Sequence, residues 1–148
     1  MRVISPDNIL GFVVGKGCFY AECGLDIKYK LGYRIRVIFY IEVCEEDIEI
    51  LEAIKCIFGC GNIILKKGDF ISPKNKSLVK YKISNQSDII NNIIPFFEKH
   101  PLFGKKHQIF EIFSKIVYKI KFKDHLTQEG IKETKLLVSE LQTLNKGM

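Results

Sequence analysis

Three glycines set into an otherwise apolar run constrain this chain more than any other feature. Residues Ser5 to Glu22 read SPDNILGFVVGKGCFYAE. Ser5 is a helix-capping type, and Pro6 suits a first turn because its missing N–H would be unpaired there. Asp7 stands where the helix dipole favours negative charge. Residues 9 to 14 are almost wholly apolar, so the helix is expected to be buried on most sides. Gly15 and Gly17 suit the end of a helix. Gly11 does not, because glycine inside a helix costs about 0.8–1 kcal/mol relative to alanine. Gly11 and Gly15 lie four residues apart on one face, and without Cβ atoms they let a second backbone come close. The stretch reads as a helix with a face made for another helix, then a glycine turn into a strand.

Beyond Gly17 the period changes to two. Phe19, Ala21, Cys23, Leu25 and Ile27 share one face, and Cys18, Tyr20, Glu22, Gly24, Asp26, Lys28 and Lys30 the other. Gly32 marks a turn. Ile35, Val37, Phe39, Ile41 and Val43 then alternate with Arg34, Arg36, Ile38, Tyr40 and Glu42. Glu45, Glu46 and Asp47 open a helix whose stripe is Ile48, Leu51, Ile54, Ile57 and Phe58. Two shorter strands, about 61–67 and 78–84, flank a polar Gly/Ser/Pro/Asn loop and end or alternate with Lys66, Lys67, Lys80 and Lys82. Three helices close the chain: 86–99, which Pro95 should kink or shorten; 106–121; and one capped by Thr127 and lined by Ile131, Leu136, Leu137, Leu141 and Leu144. The order predicts an α/β (α+β) fold, one domain over 1–148, with a four-stranded, mostly antiparallel sheet covered by helices on one face.

Such a sheet leaves its other face bare. Lys28, Lys30, Arg34, Arg36, Lys66, Lys80 and Lys82 gather there, with Tyr20 and Tyr40 among them, outnumbering Glu22, Asp26 and Glu42. A net charge of +6 and a pI near 9.0 agree with a polyanionic partner. The five cysteines are odd in number and sit among apolar residues, which points to reduced thiols. The three histidines are scattered, and no second cysteine pair stands at ligand spacing, so no structural metal is expected. No apolar run approaches a membrane span and no secretory signal opens the chain, so it is expected to be soluble and intracellular, in cytoplasm or nucleoid, with no membrane partner.

Ile9-Leu10-Gly11-Phe12-Val13-Val14-Gly15-Lys16-Gly17 resembles the nine-residue signature of the LAGLIDADG homing endonucleases of the single-motif type. The resemblance continues through Gly17-Cys18-Phe19-Tyr20, Phe39-Tyr40-Ile41-Glu42-Val43, Phe58-Gly59-Cys60-Gly61-Asn62-Ile63, Tyr81-Lys82-Ile83-Ser84 and Ile94-Pro95-Phe96-Phe97. Pro101-Leu102, Lys105-Lys106 and Asp124-His125-Leu126-Thr127-Gln128-Glu129-Gly130-Ile131 complete it in the same order. It implies an αββαββα saddle whose sheet lies in the major groove of duplex DNA. The signature helices of a homodimer would pair through Gly11 and Gly15, and the site would approximate a palindrome. Lys28, Lys30, Arg34, Arg36, Tyr40, Lys66, Lys80 and Lys82 would be the DNA-binding set, with Arg34 and Arg36 reading bases.

The resemblance also implies a defect. Active members carry an acid at the eighth signature position, where it helps to bind divalent metal beside the scissile phosphate. Here that position is Lys16. Mg²⁺ requires oxygen ligands and an ammonium repels it. Val43 replaces a residue that is often polar, while Lys106 matches the family's active-site lysine. Asp7 and Glu22 stand in the wrong places to substitute for the acid. The expected function is therefore a duplex-DNA-binding protein of endonuclease ancestry with no cofactor. The alternatives are an active Mg-dependent site-specific endonuclease and an RNA-binding intron maturase.

Overall fold

The structure is a computed structural model that describes residues 4–66 and 77–147. Helix α1 (Pro6–Lys16) starts as its sequence dictates, the Ser5 Oγ accepting the Asn8 N–H at 3.2 Å. Its other end differs from expectation. Gly17 is extended, with φ −82° and ψ 156°, so α1 passes directly into β1 (Gly17–Leu25) with no intervening turn. Gly17 is required by space: a Cβ there would meet Val13 at 2.9 Å.

β1 pairs antiparallel with β2 (Tyr33–Cys44), Gly17 opposite Ile41 and Leu25 opposite Tyr33. The first strand ends five residues before the alternation suggested. The Asp26 N–H donates to the Gly32 carbonyl at 2.8 Å, Asp26 Oδ1 accepts the Lys28 N–H at 3.0 Å, and Gly32 adopts φ 78°. These bonds close a turn over 26–32. Lys28 and Lys30 therefore sit in the turn and not on the sheet. Leu25 (85% exposed) and Ile27 (100%) are not part of a buried face.

A short 3-10 turn (Glu45–Asp47) leads into α2 (Ile48–Phe58), which Gly59 ends in the left-handed conformation at φ 71°. Ile57 lies outside the buried stripe and is exposed, whereas Leu51, Ile54 and Phe58 are buried. β3 (Asn62–Lys66) and β4 (Leu78–Ile83) follow. The intervening polar loop and Lys67 lie outside the described residues. The sheet order is β1-β2-β4-β3, and every neighbouring pair is antiparallel.

Pro95 does not end the next helical stretch, which changes its hydrogen-bond pattern just before it. α3 (Gln86–Asp88), capped by Asn85, runs through a π turn (Ile89–Ile93) into α4 (Ile94–Lys99). Widening the turn just before proline makes room where its ring would meet a preceding carbonyl and where its absent N–H would leave a gap. α5 (Gly104–Lys121) and α6 (Gln128–Lys146) complete the chain. Thr127 caps α6, accepting the Gly130 N–H at 2.9 Å. Leu136, expected on the lining of α6, is 72% exposed; Thr134 and Val138 are buried instead.

The helices cover the face of the sheet that carries Phe19, Ala21, Val37, Phe39, Ile41, Val79, Tyr81 and Ile83. Phe19 is the centre of this core, its ring 5.1–5.5 Å from those of Phe39, Phe97, Phe110 and Phe113. β1 is an edge strand, and its outward carbonyls are met by side chains of the helices. Lys106 of α5 donates to the Gly17 carbonyl at 2.5 Å, Asn145 of α6 to Phe19 at 2.9 Å, and Gln142 to Ala21 at 3.0 Å. An edge that would otherwise invite another strand is thereby closed.

Candidate functional site

The bare face of the sheet displays rows of residues set by its register. Cys18, Tyr40, Lys82 and Asn62 form one row across all four strands; Glu42, Lys80 and Ile64 form the next. Further along, Glu22 faces Arg36 and Gly24 faces Arg34. The sheet thus brings together Arg34, Arg36, Tyr40, Lys66, Lys80 and Lys82 of the expected binding residues, and leaves Lys28 and Lys30 at its end on the β1–β2 turn.

Two of these cations already hold acids. Arg36 Nη1 lies 3.2 Å from Glu22 Oε1, and Glu22 Oε2 accepts the Tyr20 hydroxyl at 3.2 Å. Lys80 Nζ lies 3.8 Å from Glu42 Oε2 and 4.4 Å from the centre of the Tyr40 ring. All four ion-pair side chains are about a third or more exposed, so each pair is worth at most ~1 kcal/mol and can exchange partners. Arg34, Lys66 and Lys82 have no acid partner among the described residues. A hydrogen bond with Cys18, and then burial, raise the Tyr40 hydroxyl above the ordinary phenol range. Burial and the hydrogen bond to Glu22 do the same for Tyr20. Both tyrosines therefore remain neutral donors at physiological pH. These couplings of Cys18, Tyr20 and Glu22 were not anticipated from sequence, although alternation alone placed all three on the bare face.

Lys16 is exposed at the junction of α1 and β1, beside the row begun by Cys18. Its ammonium sits in the last turn of α1, where a cation suits the negative end of the helix dipole by ~0.3–1 kcal/mol. An acid at the same point would be disfavoured by that dipole. Lys16 makes no ion pair among the described residues. Lys106 is only 6% exposed, its ammonium turned to the Gly17 carbonyl. Burial lowers its pKa from the ordinary 10.5, and the neighbouring Cys18 opposes that shift. Lys106 thus fixes the foot of α1 from beneath, while Lys16 projects from it. Toward a divalent metal Lys16 offers an ammonium, which repels the cation and supplies no oxygen ligand. Among the described residues no three His, Cys, Asp or Glu side chains cluster to hold an ion.

α1 is not buried on most sides in the single chain. Ile9, Leu10 and Val13 face the core, whereas Gly11, Val14 and Gly15 are exposed. A Cβ on Gly11 or Gly15 would meet nothing within 4 Å. The glycines line an open groove of about 510 Å³ between α1 and α2, walled by Phe12, Ile50 and Ala53 and flanked by Asp7, Glu49 and Lys16. No helix among the described residues is long and apolar enough to cross a membrane. None of the five cysteines forms a disulfide.

A family model described as LAGLIDADG endonuclease matches residues 9–117. A relative from Neurospora crassa, the probable intron-encoded endonuclease 3, is 35% identical over 135 residues, which are 91% of this chain and 24% of that protein. The chain spans only about a quarter to three-tenths of the first curated relatives it matches. Among solved structures, the homing endonuclease I-TnaI superposes with a TM-score of 0.81 at 30% identity, covering 98% of this chain and 96% of that one. The I-LtrWI LAGLIDADG homing endonuclease bound to target DNA gives 0.83 at 28% identity, over 95% of this chain and 45% of the other. With the signature nonamer on α1, the sheet order and the family match agreeing, this chain belongs to the LAGLIDADG endonuclease family.

Proposed function

We propose that the bare sheet face lies in the major groove of duplex DNA, that two copies pair through the open face of α1, and that cleavage has been lost. The observation that carries the last point is Lys16. It stands exposed at the foot of the signature helix, where the family's chemistry needs a metal-binding carboxylate, and it makes no ion pair with an acid among the described residues. DNA binding is supported by Arg34, Lys66 and Lys82, which have no acid partner among the described residues, and by the exchangeable Arg36–Glu22 and Lys80–Glu42 pairs. A two-stranded ribbon such as β1–β2 fits the major groove. Pairing of copies is supported by the uncovered glycines and their apolar groove. Packed against a second α1, those glycines would permit close backbone contact. The bound site would then be close to a palindrome, as two-fold symmetry requires.

Selection of bound duplexes from a random pool, followed by incubation of the best site with Mg²⁺ or Mn²⁺, tests this reading. It predicts salt-sensitive binding to an inverted-repeat site and intact strands afterwards. Tighter binding to structured RNA than to any duplex would favour the maturase alternative, and robust cutting would favour the active endonuclease.

A further inference from the structure

The turn between β1 and β2 holds Ile27 in the open, beside Leu25 at the end of β1, which is 85% exposed. Ile27 is 100% exposed. Around it the backbone is fixed by Asp26 N–H to Gly32 O at 2.8 Å, Tyr29 N–H to Asp26 O at 3.2 Å, and Gly32 N–H to Tyr29 O at 2.9 Å. Asp26 Oδ1 holds the Lys28 N–H, and Leu31 packs against the core behind the tip. The exposure of Ile27 therefore belongs to an ordered turn. Its neighbours are chemically specific. Lys28 follows it and Lys30 stands three residues on, both exposed. Tyr29 turns back to line a groove of about 480 Å³ with Arg34, Arg36, Ser84 and Ser87. The tip thus continues the basic face of the sheet at the end farthest from Lys16, and joins it to a polar groove able to receive a phosphate chain.

Resting on the DNA-binding reading, we infer that Ile27 is a specificity residue that contacts thymine methyl groups at the outer end of each half-site, with Lys28 and Lys30 holding the flanking phosphates. In the major groove the C5 methyl of thymine is the one apolar feature of a base edge, and an aliphatic side chain is its natural partner. The neighbouring cations favour a polyanion over an apolar protein surface.

The test uses the best duplex selected by the full chain, with each outer thymine replaced in turn by deoxyuridine, which lacks only the methyl. The wild-type protein should lose about fourfold in affinity at the contacted thymine, the worth of one buried carbon. Ile27→Ser, a change at a fully exposed position, should bind both duplexes equally and select sites with relaxed outer positions. Equal sensitivity of both proteins to deoxyuridine, or unchanged outer preferences in Ile27→Ser, would overturn the assignment while leaving DNA binding intact. Failure of the wild type to bind any duplex would instead remove the reading beneath it. Ile27-dependent sedimentation with phosphatidylglycerol vesicles, without an effect on DNA, would assign the tip to a lipid surface and overturn the proposal.

Discussion

The Lys106 ammonium donates to the carbonyl of Gly17, the residue that follows Lys16, so two lysines, one buried and one exposed, share one chain junction. One is buried and bonds the backbone. The other is exposed, in the last turn of α1 and on the groove between α1 and α2. Their difference in role follows from this placement.

Replacing Lys106 by methionine keeps the stem and removes the donor. The Gly17 carbonyl is then left unsatisfied at a buried edge, a loss of about 1–3 kcal/mol in chemical denaturation. The pH dependence has a definite sign. The folded pKa of Lys106 is lowered by burial, so just below 10.5 the unfolded chain binds the additional proton and stability rises with pH through that window. The stability difference between wild type and Lys106→Met should therefore widen as pH climbs towards 10.5. A difference that is flat or shrinks would contradict the burial of this ammonium.

Gly130 makes a sharper structural prediction. A Cβ there would fall within 2.6 Å of the Asp124 carbonyl oxygen and carbon and of Thr127 Oγ1. Gly130→Ala must displace the turn that caps α6, at about 1–3 kcal/mol or more. Because α6 carries Gln142 and Asn145 to the Ala21 and Phe19 carbonyls on the edge of β1, amide exchange along β1 should accelerate together with the loss of stability. Exchange unchanged in β1 would uncouple α6 from the sheet edge.

Much of this arrangement was legible in the sequence, and the misses have physical causes. Alternation located β2 and the buried residues Ile35 to Val43, because a half-buried strand separates its two faces by residue type. It overran β1, because Asp26 and Gly32 form a turn through backbone bonds that leave the hydrophobic pattern undisturbed. The same pattern sets Lys28 and Lys30 on the sheet, whereas the backbone bonds put them in the turn. Ile57 and Leu136 were assigned to buried stripes that reach only as far as the neighbouring element. The ion pairs that neutralise Arg36 and Lys80 depend on cross-strand register, which the sequence leaves open. Lys106 was identified by resemblance alone. That it bonds a strand-edge carbonyl required the docking of α5 on β1.

The cations with no acid partner among the described residues should dominate salt dependence. Arg34→Ala and Lys82→Ala each remove two cations from a bound homodimer, so each is expected to lower the slope of log affinity against log salt by about 2. Arg36→Ala should change it less, because Glu22 already neutralises much of that charge in the unbound protein. Binding titrations between low and moderate salt on one selected duplex would rank the three. A larger change for Arg36 than for Arg34 would contradict the reading of the face.

Lys16 gives a test of pairing. If two copies meet through α1, their Lys16 ammoniums approach the same axis and repel, and a copy with the charge reversed relieves this. An equimolar mixture of wild type and Lys16→Glu, distinguished by mass in native mass spectrometry, should contain more than the one-half mixed dimer that random pairing gives. A mixture at or below one-half would argue against contact near residue 16.

Cleavage of the bound site decides the central claim. With Mg²⁺ or Mn²⁺ and saturating protein, wild type should leave both strands of its selected duplex intact, and Lys16→Asp should gain measurable cutting if the rest of the foot is competent. Double-strand cleavage of that duplex by the wild type would contradict the account, and its persistence in Lys16→Ala would make the residue at this position irrelevant to the chemistry.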